Sequence, residues 1–136
     1  MEALALDTTF LIDLQNERRG RGEPTGAEAF LNRFRRTLLF LPRVAEGEYL
    51  EGFPDPESPV ARKLPDILRP LEITPAVVNE YARTARFLRR KGTMIGSNDL
   101  WIGATAKVSG LPIATRNTEE FRRIPGLEVL GYGVSA

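Results

Sequence analysis

The chain has 136 residues, enough for one domain with a hydrophobic core of its own. Hydrophobic residues make up 42% and charged residues 27%, which excludes an extended disordered chain, and a net charge of +1 excludes nucleic-acid binding by bulk attraction alone. With no cysteine and no histidine, disulfides, thiolate chemistry and imidazole bases are excluded, leaving carboxylates with a hard, oxygen-preferring cation as the main hydrolytic route.

Ala3–Leu6 is an apolar run ending at an acid, and it predicts a buried first strand. Thr8 or Thr9 is expected to cap a helix carrying Phe10, Leu11 and Leu14 on one side. Asn16–Thr25 reads as a loop, Gly26–Thr37 as a helix, and Leu38–Leu41 as the second strand. Pro42 suits the first turn of a helix running to about Leu50, and Gly52–Pro59 is a proline-rich loop. A short helix is expected over Val60–Leu68, a third strand over Leu71–Thr74, and a helix from Pro75 to about Lys91. After a loop at Thr93–Ser97, an alanine-rich helix spans about Asn98–Ser109 and closes at Gly110. Pro112–Thr115 and Leu127–Leu130 complete five strands. Strands alternating with helices predict an α/β fold, a mostly parallel five-stranded sheet with helices on both faces, as one domain over 1–136.

Met1–Asp7 has no basic region followed by an apolar run, so no signal peptide is expected. No apolar stretch approaches the roughly 20 residues that span a bilayer. A soluble, cytoplasmic protein with no membrane partner is the expectation.

Three acids fall near strand edges, where open α/β sheets bind ligands. Asp7 follows the first strand, Glu48 lies on the helix after the second, and Asp99 begins the alanine-rich helix before the fourth. More than forty residues separate each from the next, so only the fold could assemble them. Clustered carboxylates raise each other's pKa and call for a cation, and Mg²⁺ or Mn²⁺ can hold phosphate oxygens and activate water. Each acid also has a plain alternative. Asp7 could cap a helix, Glu48 could be an exposed acid beside Glu46 and Glu51, and Asp99 could serve its helix's N-terminal dipole.

Three segments carry a family resemblance. Leu6-Asp7-Thr8-Thr9-Phe10-Leu11-Ile12-Asp13 resembles the opening strand–acid–helix of PIN domains, with Thr9 where asparagine is frequent. Leu41–Gly52 is similar to the second motif, in which glycine falls four residues after the glutamate; Gly52 is four after Glu48, which selects Glu48 over Glu46. Lys91–Ala106 is similar to a loop, an acid and a small-residue helix, and it runs into Ile113–Phe121 and Ile124–Val129 in the family's order. The resemblance covers essentially the whole chain and is to the VapC-type toxin half of a toxin–antitoxin pair.

That resemblance implies a PIN-like three-layer sandwich and a metal-dependent endoribonuclease, with Asp7, Glu48 and Asp99 as ligands of Mg²⁺ or Mn²⁺. It implies RNA as substrate, a homodimer, and inhibition by a VapB-type antitoxin. The fourth acid common in the family is replaced by Asn117; Asn117 or Glu120 could complete the site, and Thr115 could hydrogen-bond the cluster from its strand end. Arg86, Arg89, Arg90 and Lys91, or Arg116, Arg122 and Arg123, could position a phosphate backbone. Phe10, Leu14, Tyr49 and Phe53 are candidates for an apolar rim that a partner peptide could cover. Other classes fit less well: a dehalogenase-like phosphatase needs Asp-x-Asp where Asp7-Thr8-Thr9 stands, and a receiver needs an aspartate after the third strand. A catalytically weak PIN domain that only binds RNA or protein is the remaining alternative.

Overall fold

Leu4, Ala5 and Leu6 are consecutive and all buried, so the first strand has no solvent face and must lie between two covered layers. In a computed structural model describing residues 2–133, that strand, β1 (Ala3–Leu6), is the middle of a five-stranded sheet. Met1 and residues 134–136, which the expected domain of 1–136 includes, lie outside the described residues. The remaining strands are β2 (Leu38–Pro42), β3 (Arg69–Leu71), β4 (Ile113–Thr115) and β5 (Val129–Gly131). Their order is β3-β2-β1-β4-β5 and every pairing is parallel. Leu4 lies opposite Leu39, and Leu6 opposite Ala114.

Helix α1 (Thr8–Arg18) follows β1, and α2 (Ala27–Arg33) precedes β2. Helix α3 (Arg43–Leu50) starts directly from Pro42. The expected helix over Val60–Leu68 is broken at Pro65, whose ring cannot continue the hydrogen-bond ladder: α4 (Pro59–Arg62) is followed by a 3-10 turn at Pro65–Ile67. Helices α5 (Pro75–Lys91) and α6 (Ser97–Val108) pack together through stacked Tyr81 and Trp101 and the Lys107–Glu80 ion pair at 3.1 Å. Helix α7 (Thr118–Phe121), not expected from sequence, fills part of the interval before β5.

Several boundaries differ from expectation for local reasons. Asp7, rather than Thr8 or Thr9, caps α1, accepting from the Thr8 amide. Helix α1 extends to Arg18, into the expected loop. The third strand is Arg69–Leu71 instead of Leu71–Thr74, because Thr74 caps α5 by accepting from the Val77 amide. Pro70 is tolerated there because β3 is an edge strand. Gly103, in the middle of α6, faces Ile124, Leu127 and Phe121, so its missing side chain admits the segment around α7.

Candidate active site

The strand order supplies the site. From β1 the chain builds β2 and β3 on one side, then crosses back to place β4 on the other. Such a reversal opens a crevice beyond the carboxyl ends of β1 and β4. Asp7 directly follows β1 and Thr115 ends β4, so both stand at that crevice.

Asp7 is 2% exposed and accepts three hydrogen bonds. The Thr8 amide donates to Oδ1 at 2.7 Å, and the Thr9 and Thr115 hydroxyls donate to Oδ2 at 3.0 and 2.8 Å. Burial pushes its carboxyl above the ordinary aspartate value, with the Glu48 charge adding to the rise, although the three donors oppose it. The helix-cap reading of Asp7 is therefore true, and it accounts for only one of the two carboxylate oxygens.

Glu48, half-buried on α3, accepts from the Thr8 hydroxyl at 2.6 Å and from the Asn98 amide at 3.0 Å. Glu46, two residues earlier, points elsewhere: it takes Arg43 at 2.8 Å and Arg62 at 3.1 Å. Two residues on a helix are about 200° apart, so the two glutamates cannot share a face. The structure thus places Glu48, and not Glu46, beside Asp7.

Asp99 lies in the first turn of α6, where its charge is favourable to the helix dipole. The residue at the cap position is Gly96, and no side chain caps this end, so Asp99 is not spent on capping. Its carboxyl is raised to about 7, first by burial, then by the charge of Asp7, by hydrogen bonding and charge from Glu120, and by Glu48. A single group thus feels three other acids that are remote in sequence. The Asn117 amide donates to Asp99 Oδ2 at 3.2 Å. Both residues considered for the fourth position, Asn117 and Glu120, accordingly lie against Asp99. Thr115 Oγ1 also accepts from the Asn117 backbone amide at 2.9 Å, tying this turn to the strand end.

Sequence reasoning missed Asn98 and Thr8 as partners of Glu48, although Asn98 stands next to Asp99. It gave no role to Asp13, which is 4% exposed and holds both Arg116 and Tyr132. Thr9 and Asp13 are four apart on α1, a spacing that puts them on one face and could have signalled the link. Arg116, considered for a phosphate contact, is exposed and has its guanidinium paired with Asp13. Arg86, Arg89, Arg90, Lys91 and Arg122 are exposed. The expected apolar rim also fails for Phe10, Leu14 and Tyr49, which are 0, 5 and 3% exposed and belong to the core; Phe53 is partly buried against it.

Among the described residues, no three acidic side chains stand ready to enclose an ion as they are arranged. Each carboxylate is turned onto a neutral donor: threonines at Asp7 and Glu48, an asparagine amide at Asp99. The donor set nonetheless fits a hard cation. It is all oxygen, and a carboxyl raised to about 7 by its acidic neighbours is one that a positive charge would relieve.

Fold and crevice together define an α/β protein with a carboxylate site at the switch point of a parallel sheet. The family model for the PIN domain matches residues 4–127, and the chain belongs to that family. A curated relative, "Ribonuclease VapC" of Rickettsia bellii, is 46% identical over 63 residues, covering 46% of either chain. The chain thus spans about half the length of the curated relatives it matches. Among solved structures, VapBC-1 from nontypeable Haemophilus influenzae superposes with a TM-score of 0.78 at 24% identity, covering 96% of this chain and 98% of that one. VapBC2 from Rickettsia felis, bound to a DNA fragment from its promoter, gives 0.76 at 20% identity, covering 96% and 98%. These two similarities are similarities of fold.

Proposed function

We propose that this chain is a divalent-metal-dependent endoribonuclease that acts as one domain over 1–136, the toxin half of a toxin–antitoxin pair. The observation that carries the reading is the Asp99 carboxyl, raised to about 7 by burial and by Asp7, Glu120 and Glu48 together. Asp7, Glu48 and Asp99 would hold Mg²⁺ or Mn²⁺. When bound, the ion supplies Lewis-acid stabilisation of a phosphoryl oxygen and a nucleophilic water at neutral pH.

The chain's own groups prepare that site. Thr9 and Thr115 orient Asp7 Oδ2, and Thr8 and Asn98 fix the two oxygens of Glu48. Asn117 steers Asp99, and Glu120 beside it is a carboxylate able to take up a proton during hydrolysis. The exposed cations that end α5 (Arg86, Arg89, Arg90 and Lys91) precede the short segment leading to Asn98 and Asp99, which suits them to position an RNA backbone. A homodimer in the cytoplasm, closed by a VapB-type antitoxin, completes the reading; the relative named as a VapC ribonuclease and the likeness to VapBC folds support it.

Purified protein incubated with a mixed RNA pool should cleave it with Mg²⁺ or Mn²⁺ and stop with a chelator. Asp7→Asn, Glu48→Gln and Asp99→Asn should each lose more than about a hundredfold, beyond what loss of an outer hydrogen-bond partner costs. Glu46→Gln, which keeps one of the two oxygens that hold Arg43 and Arg62, should retain cleavage. Chelator-resistant cleavage would reject the metal mechanism. Expression of the wild-type chain should arrest growth, Asp7→Asn should not, and co-expression of the cognate antitoxin should restore it. Harmless expression of soluble, nuclease-active protein would reject the toxin role alone.

A further inference from the structure

Besides Asp7, the buried acids among the described residues are Asp13 and Glu46, at 4% and 9% exposure. Glu46 is held by two arginines at the far face of α3. Asp13 is different, because both of its partners lead back to the acidic crevice. Arg116 stands between Thr115, which donates to Asp7, and Asn117, which donates to Asp99. Its guanidinium makes an ion pair with Asp13 Oδ2 and donates to Oδ1 at 3.2 Å. Tyr132 follows β5, and its hydroxyl donates to Asp13 Oδ2 at 2.6 Å. The same hydroxyl lies 3.3 Å from Thr9 Oγ1, whose own proton goes to Asp7 Oδ2 at 3.0 Å.

Proton counting gives this arrangement a direction. Two hydroxyls carry two protons for three contacts. The short, charge-assisted bond to Asp13 commits the Tyr132 proton. The Tyr132–Thr9 contact at 3.3 Å is then left without a proton of its own and holds the Thr9 oxygen by packing, while the single Thr9 proton goes to Asp7. Meanwhile the ion pair pins Arg116, and with it the turn that carries Thr115 and Asn117.

We propose that Asp13 is a positioning residue for the acidic site, acting through Tyr132 and Thr9 on Asp7 and through Arg116 on the Thr115–Asn117 turn. The inference rests on the reading that Asp7 is a metal ligand. It assigns Asp13 no contact with metal or substrate. Its role is to hold the Tyr132 hydroxyl against Thr9 and to anchor the turn that presents Thr115 and Asn117.

The test is calorimetric titration of the purified full chain with Mn²⁺ alone, with no RNA present. Tyr132→Phe keeps the ring against Phe10 and Phe30, at centroid distances of 4.9 and 6.0 Å, and leaves Asp13 paired with Arg116. It should weaken Mn²⁺ binding about tenfold, the scale seen when outer partners of metal ligands are removed. Thr9→Val should cost a comparable factor. The double variant should be little worse than Thr9→Val alone, because Tyr132 acts through Thr9. Asp13→Asn keeps acceptors for both partners but loses the charge, and it should fall between wild type and Tyr132→Phe. A purely structural part would lower the metal-free melting temperature of Tyr132→Phe and leave the Mn²⁺ Kd of the folded protein unchanged; that result overturns the proposal while the metal reading stands. Absence of Mn²⁺ binding by the wild type overturns both.

Discussion

At the scale of single residues, the acidic site is under electrostatic load, and Asp99 carries the clearest sign of it. Its carboxyl is raised from an ordinary 3.8 to about 7, chiefly by burial. Between those two values the folded chain holds a proton that the unfolded chain has released, so stability falls as pH rises through this window. Above about 7 both states are ionised and the loss is complete. Asp99→Asn removes the charge at every pH. In metal-free protein it should therefore raise stability more at pH 8 than at pH 5, measured by urea unfolding at both. The favourable dipole contribution of Asp99, about 0.3–1 kcal/mol, opposes the gain. Half-burial and three acidic neighbours outweigh it. A loss of stability at pH 8 would mean that the residue serves α6 more than the site. Asp7 is different, since it also caps α1, but its Asn variant keeps an acceptor for the Thr8 amide.

Among the elements, α6 does most to assemble the crevice, because its first turn brings Asn98 and Asp99 to Glu48 and Asn117. Its seating depends on Gly103. A methyl group there would overlap Ile124 Cδ1 and touch Leu127 and Phe121. Ala is the better helix former by about 1 kcal/mol, whereas overpacking costs about 1–3 kcal/mol. Gly103→Ala should consequently destabilise by about 1 kcal/mol net. Ile124→Val deletes the obstructing methyl, so the double variant should be more stable than the sum of the two single losses. Strict additivity in thermal unfolding would show that α6 shifts freely and that the close approach is not required. The long α5 was readable from Pro75, which suits a first helical turn, to Lys91, whereas its cap Thr74 reads in the sequence as the end of a strand. Short β3 was not readable, since three residues at a sheet edge leave no periodicity to read.

At the scale of the whole molecule, cation binding and stability should be linked. Bound only by the folded state, Mn²⁺ at a hundred times its Kd adds about 2.7 kcal/mol. For a domain of this size that raises the melting temperature by roughly 10 °C. Asp7→Asn should show no such rise. Because Asp99 holds a proton below about 7, binding at pH 6 should release close to one proton and be weaker than at pH 8. Titration in buffers of different ionisation enthalpy measures that proton, and a pH-independent affinity would exclude Asp99 as a ligand.

The sequence by itself determined the α/β class and the five strands in chain order, and it singled out Asp7, Glu48 and Asp99 as candidates. These are local facts: apolar runs, capping residues, and motifs quoted within a dozen or so neighbouring positions. It also left Glu46 and Glu48 distinguishable only by the spacing to Gly52, and it gave Asp13 no part at all. Tertiary structure alone decided that the chain reverses across β1, which puts Thr115 and Asn117 beside Asp7 and Asp99. It also decided that Arg116, though exposed, is paired with the buried Asp13. The physical reason is that carboxylate pKa values, proton direction and ion-pair choice depend on through-space distances of a few ångströms, and those distances exist only once strands far apart in the chain lie side by side.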